Sequence, residues 1–144
     1  MKIRIQDNSV RFRITLKELE ELNRAGRMVA VTEVYSEDGT ALEGRFEYAV
    51  AVAPQNAPSR CAIAPGSITV YLNAADLALL NDPAQEGVYL RWERTLPSGE
   101  PRRFMAFVEK DRPAAKCDKP EAWIYESAPD GSPVSTRPIG RVPG

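Results

Sequence analysis

Polar and apolar residues alternate from the first positions of the chain. Ile3 and Ile5 fall on one side of an extended segment, with Lys2, Arg4 and Gln6 on the other. After the turn cluster Asp7-Asn8-Ser9, the residues Val10, Phe12 and Ile14 alternate with Arg11 and Arg13. Successive side chains of a strand point to opposite faces, so this pattern predicts a hairpin with one apolar and one basic face. The period then changes. Leu16, Leu19 and Leu22 recur at helical spacing, Thr15 stands where an N-cap belongs, and Glu18 follows three residues later. With Gly26 as the C-cap, these signals predict a helix over 16–25.

Residues 28–36 and 42–53 read as two strands around the Asp38-Gly39 turn, with Phe46, Tyr48, Val50 and Val52 on one face. Residues 54–66 hold Pro54, Pro58, Pro65 and Gly66 and read as a long connection. The opening pattern then returns. Ile68, Val70 and Leu72 make a strand face, Asn73 takes the cap, and Asp76, Leu77 and Leu80 take the places of Glu18, Leu19 and Leu22. A helix over 74–81 follows, then strands over 87–95 and 102–110 around the turn at 97–100.

The fold predicted is therefore α+β, as one domain over residues 1–111. It consists of two related strand-helix-hairpin halves, about 8–53 and 66–110, packed about a pseudo-twofold axis. Mostly antiparallel strands would form a curved sheet or incomplete barrel with two short helices. Beyond residue 111 the texture changes: half of the 12 prolines lie there, and Trp123, Ile124 and Tyr125 are the apolar cluster. That composition predicts a tail over 112–144, docked near Trp123–Tyr125 and mobile over its last dozen residues.

Charge adds little at the level of the whole chain. Nineteen Lys and Arg stand against 20 Asp and Glu, a formal net charge of −1. Nothing here draws the whole chain to nucleic acid or an anionic membrane. No apolar run approaches the roughly 20 residues that span a bilayer, and no apolar signal core follows the N-terminus, so the expected location is the cytoplasm. Cys61 and Cys117 are distant in sequence and read as two free thiols.

The most informative composition fact is that the chain has no histidine. That removes the commonest general base, the commonest metal ligand and every Ser-His or Cys-His nucleophile pair. Phosphate-binding glycine loops and nucleophile elbows are absent as well. The sequence offers no catalytic residue, no metal ligand set and no cofactor motif.

What remains is the basic side of the strands. Arg4, Arg11, Arg13, Arg45 and Arg91 are the candidate anion-binding residues, because a guanidinium grips phosphate or carboxylate in two-point fashion. Glu47, Glu93 and Glu109 accompany them. The plainer reading is a water-facing sheet surface with ordinary cross-strand ion pairs. Three functions fit. The first is a non-enzymatic binding module for a protein partner or a polyanionic small molecule. A phosphate-binding or triphosphate-processing barrel is the second. The third is a homo-oligomeric structural protein joined through sheet edges, for which an exposed apolar edge would be the sign.

The words K-I-R-I-x-x-N-S-V-R-F-R-I-T from Lys2 to Thr15, I-T-V-Y-L-N from Ile68 to Asn73 and V-E-K-D from Val108 to Asp111 resemble a family of small uncharacterised bacterial proteins. The resemblance covers most of residues 2–111 and implies no activity. In that pattern the Lys-Asp pair runs into Phe and then Cys. Here Arg112 to Lys116 intervene before Cys117, so no role carries over to that cysteine. The two-half layout with charged faces is also similar to the tunnel barrels of CYTH-type triphosphate enzymes. Those open with E-x-E-x-K, whereas this chain has Lys2-Ile3-Arg4-Ile5-Gln6 and so lacks the acidic pair.

Overall fold

The computed structural model describes residues 1–111, together with the backbone of 122–124 and 140–142. Expectations for Cys117, Tyr125 and the rest of the tail lie outside the described residues. The chain forms β1 (Lys2–Gln6), β2 (Ser9–Ile14), α1 (Leu16–Ala25), β3 (Arg27–Tyr35), β4 (Leu42–Val52), β5 (Arg60–Ala64), β6 (Ser67–Leu72), α2 (Ala74–Asn81), β7 (Gly87–Thr95), β8 (Pro101–Lys110), β9 (Ala122–Ile124) and β10 (Gly140–Val142). Both helices have the bounds that their periodicity predicts. Residues 60–64, read from the sequence as part of a connection, are a strand. Prolines on both flanks and a short Cys-Ala-Ile centre hide its alternation.

The α+β class with two short helices is as the sequence predicts. The eight strands of the first 111 residues form two open mixed sheets. One compact unit, Met1 with Lys17–Leu77, contains the sheet ordered β3-β4-β6-β5. The other, Lys2–Leu16 with Ala78–Gly144, contains the sheet ordered β1-β2-β8-β7. Each sheet is a pair of antiparallel hairpins joined through a central parallel pair, β4 with β6 and β2 with β8. β9 and β10 pair antiparallel in a separate ladder.

The two sheets match in detail. Met105 donates its backbone N–H to the Asn8 carbonyl at 3.0 Å, as Glu47 does to Gly66 at 2.8 Å. Asp111 bonds Ile14 at 2.7 Å, as Ala53 bonds Leu72 at 2.7 Å, and Lys110 bonds Glu86 as Val52 bonds Gly26. Outside the β3–β7 comparison, corresponding positions such as Ser9 and Ser67, or Glu47 and Met105, lie 58 apart in the chain.

The first unit buries Met28, Val50, Ile68, Val70 and Leu72 on one sheet face, and small residues Ala49 and Ala51 on the other. The second buries Val10, Phe12, Ile14, Val88, Ala106 and Val108 on one face. Each large side chain so buried contributes about 1.5–3 kcal/mol. Lys110 ends that apolar row, and its ammonium donates to the Asp82 carbonyl at 2.7 Å. At the start of α2, the Asn73 side chain accepts from the Asp76 N–H at 2.8 Å, the predicted N-cap. Buried Ser59 donates its hydroxyl to the Asp76 carboxylate and accepts from the Asn73 N–H at 2.8 Å.

Candidate functional site: a basic sheet face

The face opposite the second unit's apolar core carries Lys2 and Arg4 on β1, Arg11 and Arg13 on β2, Phe107 and Glu109 on β8, and Tyr89 and Arg91 on β7. Alternation fixes this: Val10, Phe12, Val88 and Val108 turn inward, so their neighbours must turn outward. Register then sets the neighbours. Arg4 stands opposite Arg11 and Lys2 opposite Arg13 in the antiparallel β1–β2 ladder. On the other side of β2, Arg11 lies beside Phe107 and Arg13 beside Glu109 in the parallel pair.

Two directly opposed like-charge pairs in one hairpin work against the ladder that holds them. Part of that repulsion is offset by Glu109, whose side chain is only 5% exposed. Its carboxylate lies 3.3 Å from Arg11 Nε and 3.6 Å from Arg13 Nε. The Arg11 guanidinium also rests over the Phe107 ring, 5.3 Å from its centroid, and Tyr89 meets that ring edge-on at 5.4 Å. Burial pushes the Glu109 carboxyl above its ordinary range, while Arg11 and Arg13 pull in the opposite direction.

Lys2, Ile3, Arg4, Arg11 and Arg13 line a depression of about 190 Å³. Arg4 is exposed and makes no ion pair among the described residues. Lys2 reaches Asp111 at 3.4 Å, with its side chain 79% exposed. A larger depression of about 310 Å³ near the β1–β2 turn is lined by Gln6, Asp7, Asn8, Ser9, Arg103 and Met105. It gathers one cation and one acid, a weaker concentration of charge.

Of the five arginines singled out from the sequence, Arg4, Arg11 and Arg13 come together. Arg91 shares their sheet face but is engaged by Glu93 on its own strand. Arg45 belongs to the other unit, 3.2 Å from Glu47 and 3.6 Å from Glu33. Lys2 joins the cluster although its residue type did not mark it out. Gly87, which opens β7 directly opposite Glu109 with no room for a Cβ, was also missed; the signal was a glycine in a strand, which often marks a close approach.

Among the described residues, no group of three or more Cys, Asp or Glu is gathered as a metal site. Cys61 is half-buried, and burial pushes its thiol up to about 11, so it stays protonated and unreactive at neutral pH. No helix among the described residues is long and apolar enough to cross a membrane.

Residues 1–119 match the model of a family of unknown function (DUF7009), and the chain belongs to that family. No curated protein and no solved structure matches it.

Proposed function

We propose that this member of the family is a non-enzymatic binding module whose ligand is a small polyanion, a phosphate or polyphosphate group. The observation that carries the reading is the convergence of Lys2, Arg4, Arg11 and Arg13 on one depression, in two like-charged cross-strand pairs. A sheet built only for stability would place acids opposite those bases. Places where a local rule is broken without an evident gain in stability are where function concentrates. The Glu109 carboxylate forms ion pairs with both Arg11 and Arg13, and the cluster supplies positive charge and donors.

The test is a thermal-shift series with phosphate, pyrophosphate and triphosphate. A ligand of the folded state must raise the melting temperature, by about 2.7 kcal/mol of stabilisation at a hundred times its Kd. The shift should grow with ligand charge, shrink with salt and be lost in Arg4→Ala and Arg13→Ala. No shift in the wild type, or equal shifts in both variants, rejects the reading.

We also infer that the described chain is an internal duplication, with halves over about 8–53 and 66–110 and the flanking strands β1 and β5 as a further matched pair. The reading is supported by the paired hydrogen bonds Met105–Asn8 with Glu47–Gly66 and Asp111–Ile14 with Ala53–Leu72. We further infer a cytoplasmic location, a reducing compartment in which a free thiol such as Cys61 is ordinary.

A further inference from the structure

We infer that a second copy of this chain adds to the outer edge of β3, giving a twofold dimer in which the two β3 strands pair antiparallel about Ala30. Among the described residues β3 ends its sheet, and it is nine residues long. Long apolar edges invite a further strand, and proteins ordinarily blunt them. The other three edges are shorter or more charged: β1 and β5 have five residues each, with single exposed apolar residues Ile5 and Ile63, and β7 carries Arg91, Glu93 and Arg94. β3 instead exposes Val29 at 44% and Val31 at 43% on one face, between Arg27 and Glu33.

The backbone sets which registers are open. Val52 donates to the Gly26 carbonyl, so the even-numbered residues of β3 exchange bonds with β4. The odd-numbered residues Arg27, Val29, Val31 and Glu33 turn their N–H and C=O groups outward. An antiparallel partner must therefore pair odd residues with odd residues. Charge chooses among those registers. Centred on Ala30, Arg27 meets Glu33 of the second copy twice and Val29 meets Val31 twice, an isologous arrangement. Centred on Val31, Arg27 would meet Tyr35 and Glu33 would meet Val29. Within one copy Arg27 lies 3.0 Å from Glu47 and Arg45 lies 3.6 Å from Glu33. Pairing about Ala30 joins these into a row of alternating sign: Glu47, Arg27, then Glu33 and Arg45 of the second copy.

Sedimentation of the full chain tests this. The wild type should be a dimer. Arg27→Glu and Glu33→Arg should each weaken it at least about tenfold, because like charges then face each other at both ends. Val31→Pro removes an outward N–H that β4 does not use, and should give a folded monomer by circular dichroism. A wild type that stays monomeric at about 100 μM overturns the inference, since an interface of useful strength is populated there. So does a folded Val31→Pro that still dimerises. Should either single swap fail to fold, Val31→Pro decides.

Discussion

Gly87 faces Glu109 across the β7–β8 ladder, and the strands approach so closely there that the first has no room for a side chain beside the second. A Cβ at position 87 would lie 2.9 Å from Glu109 Cα and 3.2 Å from its Cγ, and closer still to the Val108 carbonyl oxygen. Two of those neighbours are backbone atoms that cannot rotate aside. Gly87→Ala should therefore destabilise by about 1–3 kcal/mol, as overpacking does. Urea unfolding would measure this, and an unchanged midpoint would mean that the ladder opens freely.

Burial also gives Glu109 a pH signature. Its carboxyl is raised above the ordinary glutamate value of 4.5. Between that value and the raised one, the folded chain binds more protons than the unfolded chain, so stability falls as pH rises. The contribution is complete below pH 4.5 and is lost as pH climbs through the folded value. Glu109→Gln should flatten this part of the stability–pH curve. It also removes the negative charge between Arg11 and Arg13, so phosphate should bind more tightly to this variant. Chemical unfolding across pH, paired with calorimetric titration of pyrophosphate, reads both effects.

Arg4 separates binding from stability. It is exposed, unpaired among the described residues and directly opposite Arg11. Arg4→Ala should stabilise the ligand-free protein slightly, by about 0.2–1 kcal/mol, because it removes a like-charge pair. The same change should weaken polyphosphate binding. Loss of stability on this substitution would show that the pair is structural.

The helix leucines differ in depth. Leu22 and Leu80 are fully buried, while Leu77 is half-buried. Leu22→Ala and Leu80→Ala should each cost about 2–5 kcal/mol, with Leu77→Ala well below either. Thermal unfolding of the three variants ranks them.

Much of this was legible in the sequence because periodicity reports faces. Val10-Phe12-Ile14 and Ile68-Val70-Leu72 were read as buried rows, and the Leu19–Leu22 and Leu77–Leu80 spacing marked both helices. Periodicity says nothing about which strand lies beside which. The pairing of β2 with β8 joins residues almost a hundred positions apart, and only that pairing sets Glu109 beside Arg13. The outward alternation of Glu109 with Val108 reads as exposure. It stands opposite a glycine one strand away and beside Arg11 and Arg13 from a third strand, a setting that no local pattern reports. Equally, the arginine count suggested one field of five, whereas Glu33, Glu47 and Glu93 engage two of them.

The order β1-β2-β8-β7 has a consequence for synthesis. The β3-β4-β6-β5 sheet is drawn from one continuous stretch and can close while the chain is still being made. β2 must wait for β8, the last strand of the first 111 residues, before its inner edge is covered. Until then the backbone groups of that edge remain open to water and to other nascent chains. Long-range parallel closure of this kind is slow. The β1–β2 hairpin, made long before β8, is thus among the last of these elements to be secured, and this is the stage at which a chaperone would matter most.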